Sequence, residues 1–278
     1  MRRIKATIIM QGTLGVIGCG NMGAAIVRGI VADEDVTAGS IYLYDKDLEK
    51  ARALAESTGC SVGSLPGMIR SVETVLIAVK PQNAAGLFRE IGPEMIDQTV
   101  ISVMAGVPMS SISEGLGGDV PVVRAMPNIG AFVRQGVTCL SCNDRVKDKT
   151  VAEKIFSGVG TVLDIEESAM DAVTAVSGSG PAYVFYLAGA MVQAAVEEGL
   201  DPGTAETLVK RTIMGAGTLL AGAEEAPGEL ADRVASKGGT TEVALDVFKR
   251  EGLAPIIKKA VSAAAKRSRE LSEGFSRR

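Results

Sequence analysis

The chain has 278 residues, 46% of them hydrophobic and 22% charged, and carries a net charge of −4. That length accommodates one large domain or two ordinary ones, and the acidic balance speaks against a nucleic-acid partner. The sequence contains no histidine, which excludes Ser-His-Asp and Cys-His nucleophilic catalysis and argues against a catalytic zinc centre; no metal site is expected.

The start, Met1 to Met10, has positive charges but only a short apolar stretch. No small-residue cleavage site follows it, so a signal peptide is not expected. Met10 is a candidate natural start, because Gly12 to Gly18 already opens the fold. No apolar run approaches the ~20 residues of a membrane span, and the expected location is the cytoplasm, away from membranes.

The first half alternates between short apolar runs and helical patterns. Thr13 to Ile17, Ile41 to Tyr44, Val75 to Val79, Val100 to Val103 and Val120 to Val123 read as strands. Met22 to Ala32 and Leu48 to Glu56 read as helices between them. Continuous apolar strands separated by helices predict a parallel sheet covered on both faces. Gly136 to Leu140 and Thr161 to Leu163 are further strands, with a helix over Val146 to Phe156. Cys139 and Cys142 form a C-x-x-C at the end of a strand-like run. A redox pair of that kind opens a helix, so ordinary reduced thiols are expected here.

From Ala169 onward the texture is helical. Tyr183 to Glu198 is apolar around much of its circumference, which predicts burial in its own core or against another subunit. Asp201 and Pro202 open a second long helix through Leu220. Pro227, the Gly-Gly-Thr-Thr loop and Ala254-Pro255 open three more. The basic residues Lys258, Lys259, Lys266, Arg267 and Arg269 are expected on a solvated face that also complements the helix dipole. The predicted organisation is an α/β Rossmann-type dinucleotide-binding domain over residues 1–168 and an all-α substrate and dimerisation domain over residues 169–278.

Gly18-Cys19-Gly20-Asn21-Met22-Gly23 is a G-x-G-x-x-G turn between a strand and a helix. Gly18 makes the turn, Gly20 admits a pyrophosphate, and Gly23 lets helix and strand pack closely. Asp45 follows the second strand, where an acid hydrogen-bonds the ribose 2′-OH and repels a 2′-phosphate. That favours NADH over NADPH, although Lys46 beside it could pair with the phosphate instead, and a solvated Asp45 is the remaining reading. Ala78-Val79-Lys80-Pro81 and Met104-Ala105-Gly106 end the next two strands. They read equally well as a surface for a flat nicotinamide and as ordinary turns. Ser236-Lys237-Gly238-Gly239-Thr240-Thr241 lies just before a helical pattern and can aim N–H groups at a small anion. A cofactor site together with a small-anion loop suggests a redox enzyme for a small carboxylate.

The run from Asp171 to Tyr183, with its Ser177-Gly178-Ser179-Gly180-Pro181, and the loop from Ser236 to Thr241 closely resemble the pyrroline-5-carboxylate reductase family. The resemblance extends over nearly the whole chain. It implies reduction of L-1-pyrroline-5-carboxylate to L-proline with NADPH or NADH, in proline biosynthesis. It also implies a helical domain interlocked with a second subunit, as a homodimer or a ring of dimers. By motif position, Ser236, Gly238, Gly239 and Thr240 would hold the substrate carboxylate, and Thr241 the ring nitrogen. Lys80 and Pro81 would line the cofactor, with Ala105 and Gly106 near the nicotinamide. Two departures stand out: Asp45 replaces the Ser, Thr or Arg common in the family, and Leu65 falls where many members carry a ribose-binding Asn, with Ser64 as a neighbouring substitute.

Two other readings remain. A β-hydroxyacid dehydrogenase needs a base, usually a lysine on the first long helix of the second domain, but Asp171 to Val209 contains no Lys or Arg. A non-catalytic dinucleotide sensor would have no use for a complete substrate loop.

Overall fold

The computed structural model describes residues 13–276. The expected features of Met1 to Gly12 lie outside the described residues. Contacts divide the chain into two compact units, one running to Ser179 and taking in residues from Ala264 onward, the other spanning Gly180–Ala263.

The first unit is built on an eight-stranded sheet in the order β3-β2-β1-β4-β5-β6-β7-β8. The strands are β1 (Leu14–Ile17), β2 (Ile41–Tyr44), β3 (Ser61–Val62), β4 (Thr74–Ile77), β5 (Thr99–Ser102), β6 (Val122–Pro127), β7 (Gly136–Cys142) and β8 (Gly160–Asp164). β1 and β4 are buried at every position, as strands covered on both faces must be. Helices α1 (Asn21–Val31), α2 (Leu48–Thr58), α3 (Leu65–Ser71), α4 (Ala84–Ile91), α5 (Met109–Gly115) and α6 (Thr150–Ser157) provide the cover. One core joins β1 and β2 to α1, α2 and α6; a second joins β4 and β5 to α3, α4 and α5.

The sheet is not wholly parallel: β7 runs antiparallel to β6, with Pro127 opposite Thr138. Residues 128–135 are too few for a parallel crossover, which takes about a dozen or more. The chain turns back through a 3₁₀ segment at Ile129–Val133 and the left-handed Arg134 (φ 57). α6 begins later than the sequence pattern suggests, because the Asp148 carboxylate captures Thr150 N at 2.8 Å and holds the preceding residues in a turn. Cys139 and Cys142 both lie in β7 and are free thiols. Three residues apart on a strand, they face opposite sides of the sheet.

α7 (Met170–Val173) leads into a π-helical turn over Thr174–Gly178, next to the division between the units. α8 (Gly180–Glu197), α9 (Pro202–Gly222), α10 (Pro227–Val234) and α11 (Thr240–Arg250) follow. Asp201 caps α9 by accepting from Thr204 N at 3.0 Å, with Pro202 in the first turn. α12 (Leu253–Ser276) carries all five basic residues of the C-terminal run on its exposed surface. None of them is in its last turn, and the dipole effect fades beyond that turn. The expected dipole complement is therefore not formed, and the solvated face is.

Candidate active site

Strand order reverses between β1 and β4, and in open α/β sheets the crevice at such a point receives the ligand. The fingerprint turn sits there. Gly18 has φ +102, and a Cβ on it would stand 2.6 Å from Ala78 O. A Cβ on Gly23 would stand 2.0 Å from Gly18 O. These two glycines therefore close the turn against the end of β4, fixed by Ala78 N donating to Ile17 O at 2.8 Å. Gly20 differs: nothing lies within 4 Å of its Cβ position. It is the N-cap of α1, with no side-chain cap and no acidic residue in the first turn. Open space in front of an uncapped helix N-terminus fits a dinucleotide pyrophosphate. Asn21 is exposed and Met22 half-buried at the same turn.

Ala78, Val79, Lys80 and Pro81 follow β4, with Lys80 exposed and Pro81 opening a 3₁₀ turn. Met104, Ala105 and Gly106 follow β5; Met104 is buried and Gly106 takes φ +70. The structure thus gathers the predicted cofactor residues along adjoining strand ends.

Asp45 belongs to this group in a way that spacing does not show. Its Oδ2 accepts from Cys19 N at 2.7 Å and its Oδ1 from Asp47 N at 2.8 Å. The carboxylate is tied to the fingerprint turn itself. Lys46 is exposed beside it. Burial, the Asp45 charge and Cys60, in that order, push the Cys19 thiol up to about 12. Leu65 is buried in the core of the sheet, and Ser64 is exposed at the N-cap of α3.

The anion loop lies in the second unit. Gly239 N donates to Ser236 O at 2.9 Å, Gly238 adopts φ +75, and Gly239 is the N-cap of α11 without a side-chain cap. Thr240 and Thr241 are the first two helical residues, Thr241 half-buried. Gly238 N is engaged, donating to Glu242 Oε2 at 2.6 Å. Sequence reasoning did not single out Glu242. The signal was present, since a Glu three residues after an N-cap reaches back to the orphan N–H groups. Among the described residues, no group of three His, Cys, Asp or Glu side chains could hold a metal ion, and no helix is long and apolar enough to cross a membrane.

The fingerprint turn at the switch point of an open α/β sheet, taken with the family match of residues 13–106, places the chain among the nicotinamide-dependent oxidoreductases. Residues 13–106 match the family model "NADP oxidoreductase coenzyme F420-dependent", and residues 167–271 match "Pyrroline-5-carboxylate reductase dimerisation". The chain is 38% identical over 262 residues to the pyrroline-5-carboxylate reductase of Pseudomonas aeruginosa, covering 92% of this chain and 96% of that one. It is 36% identical over 269 residues to that of Methanosarcina acetivorans, covering 94% and 98%. The fold matches a pyrroline-5-carboxylate reductase of Coxiella burnetii with a TM-score of 0.89 at 34% identity, covering 94% and 98%. It matches the Plasmodium falciparum pyrroline carboxylate reductase with NADP bound at 0.83 and 28%, with the same coverage. The chain belongs to the pyrroline-5-carboxylate reductase family.

Proposed function

We propose that this protein reduces L-1-pyrroline-5-carboxylate to L-proline with a nicotinamide cofactor, as the last step of proline biosynthesis. The observation that carries this reading is that the family likeness spans both units, fingerprint turn and anion loop alike. A cyclic imine protonates readily, and the iminium carbon accepts hydride without a strong enzymatic acid, which suits a chain with no histidine. The nicotinamide supplies the hydride when bound.

The protein mainly positions the reactants, an effect worth up to about 7–11 kcal/mol. Gly18, Gly20, Asn21, Met22 and Gly23 hold the pyrophosphate, and Ala78 to Pro81 with Met104, Ala105 and Gly106 flank the nicotinamide side. Ser236, Gly239 and Thr240 hold the substrate carboxylate. Gly238 contributes through its left-handed turn, its N–H being held by Glu242. Thr241 Oγ1 accepts from the iminium N–H and then stabilises the amine. Oxidation of NADH or NADPH on addition of pyrroline-5-carboxylate tests the reading; no oxidation with either cofactor refutes it. The β-hydroxyacid dehydrogenase alternative has no support from α8, which contains no lysine.

The cofactor preference proposed is NADH. Two backbone N–H groups pin the Asp45 carboxylate beside the fingerprint turn, where its charge would repel a 2′-phosphate. Asp45→Ser should shift the NADH:NADPH ratio of kcat/KM toward NADPH by about ten-fold, equivalent to about 1.4 kcal/mol, and added salt should narrow the wild-type gap. A wild type that prefers NADPH would assign the phosphate to Lys46. The working assembly is a homodimer or a ring of such dimers in the cytoplasm, without nucleic acid or membrane as partner.

A further inference from the structure

The loop after β5 is anchored on its inner side by the sheet, where Val103 N donates to Ile77 O at 3.1 Å. Its outer side rests on the far end of the chain. A Cβ on Gly106 would lie 3.0 Å from Leu271 Cβ and 3.7 Å from Ser272 N. The glycine backbone therefore lies directly against α12, and its left-handed φ of +70 already bars most side chains. Two neighbouring turns of α12 are fastened to the same unit. Ser268 is buried and donates its hydroxyl to Asp171 Oδ1 at 2.5 Å. Phe275 meets Phe88 edge to face, centroids 6.5 Å apart, and packs on the core that contains Met104 and Val107. Residues 268, 271 and 275 share one face of the helix, at i, i+3 and i+7.

We infer that Ser268 and Phe275 are positioning residues for the reaction: they seat the end of α12 against which Gly106 rests, and so set how far Ala105 and Gly106 project toward the nicotinamide. The inference depends on the proposed place of Ala105 and Gly106 beside that ring. Loosening the seat should leave the fingerprint turn untouched, because the two lie at different strand ends. The effect should therefore fall on the nicotinamide half of the cofactor and not on its pyrophosphate.

The test compares Phe275→Ala, Phe275→Leu and Ser268→Ala in the full chain. The readouts are the fluorescence of bound NADH or NADPH, kcat, KM for pyrroline-5-carboxylate, and the isotope effect with cofactor deuterated at the transferred position. Phe275→Ala should move the emission of the bound cofactor toward that of the free one. It should also lower kcat roughly ten-fold, equivalent to about 1.4 kcal/mol, and enlarge the isotope effect, with KM for the imine unchanged. Phe275→Leu should recover most of the loss. If Phe275→Ala does not fold, Ser268→Ala carries the comparison, with the same direction of change expected in emission, kcat and isotope effect. Lowered thermal stability with unaltered emission, kcat and isotope effect would overturn the inference and leave a structural clasp. A wild type that binds NADH but does not reduce the imine would refute the proposed function, while the emission change would still decide the role of the helix end.

Discussion

The two units meet the demand for burial in opposite ways. The first closes two cores on either face of its sheet, with Leu14, Ile77, Ile101 and Phe156 wholly inaccessible. In the second, Ala205 and Val209 are the only buried residues among those described, while Phe185 is 65% exposed and Tyr186 84%. Leaving a large apolar side chain in water forgoes about 1.5–3 kcal/mol each time. The first unit builds two buried cores within one chain, although Ile96, Val133 and Val176 stay exposed on its surface. The second is incomplete by itself, and its match to a dimerisation family supplies the completion: a second copy.

The largest expected effect breaks that completion. Phe185→Asp should convert a dimer into a monomer by light scattering and abolish activity, since an obligate interface of this kind buries more than ~2,000 Å². A wild type that is already monomeric at micromolar concentration would reverse the comparison.

Next comes Thr241→Ala, in the open unit. It removes one hydrogen bond to a charged group, worth about 1.5–3 kcal/mol, so kcat/KM for the imine should fall roughly ten- to a hundred-fold with cofactor binding retained. Unchanged kinetics would reduce Thr241 to a helix-opening residue.

In the closed unit the same kind of small change should cost stability first. Gly23→Ala places a methyl group 2.0 Å from Gly18 O and should destabilise by about 1–3 kcal/mol, as overpacking does. Gly20→Ala meets open space; it should leave the melting temperature unchanged and weaken NAD(P)H binding only. If both variants lose stability equally, Gly20 has a packing role as well. The smallest effect is predicted for Cys19. With its thiol held near 12, it should remain unalkylated by iodoacetamide at pH 8 in the folded protein, and rapid labelling would show that the fingerprint turn opens.

The same contrast explains what could be read in advance. The strands of the first unit are mostly apolar at successive positions, so the places of most of them followed from pattern, while their order in the sheet did not. β3 escaped because two residues carry no period. The reversal of β7 could have been inferred from the short link between Pro127 and Gly136. The candidate site residues were singled out where a glycine spacing or an N-cap composition marks them. Which N–H the Asp45 carboxylate selects was not legible, because spacing places a side chain at a strand end without aiming it. The role of α12 was hidden too: its basic residues recur along one continuous helix, and nothing in their order marks where packing passes from one unit to the other.

The hydroxyl of Ser268 finds its acceptor 97 residues earlier in the chain. The helical unit is thus an insertion within the first unit, whose final piece is synthesised last. During translation the sheet domain emerges first but lacks its closing segment until every helix of the second unit has left the ribosome. Contacts of such sequence separation slow folding. The order of synthesis therefore favours a chain in which the dimer-forming helices are available before the cofactor-binding unit has sealed.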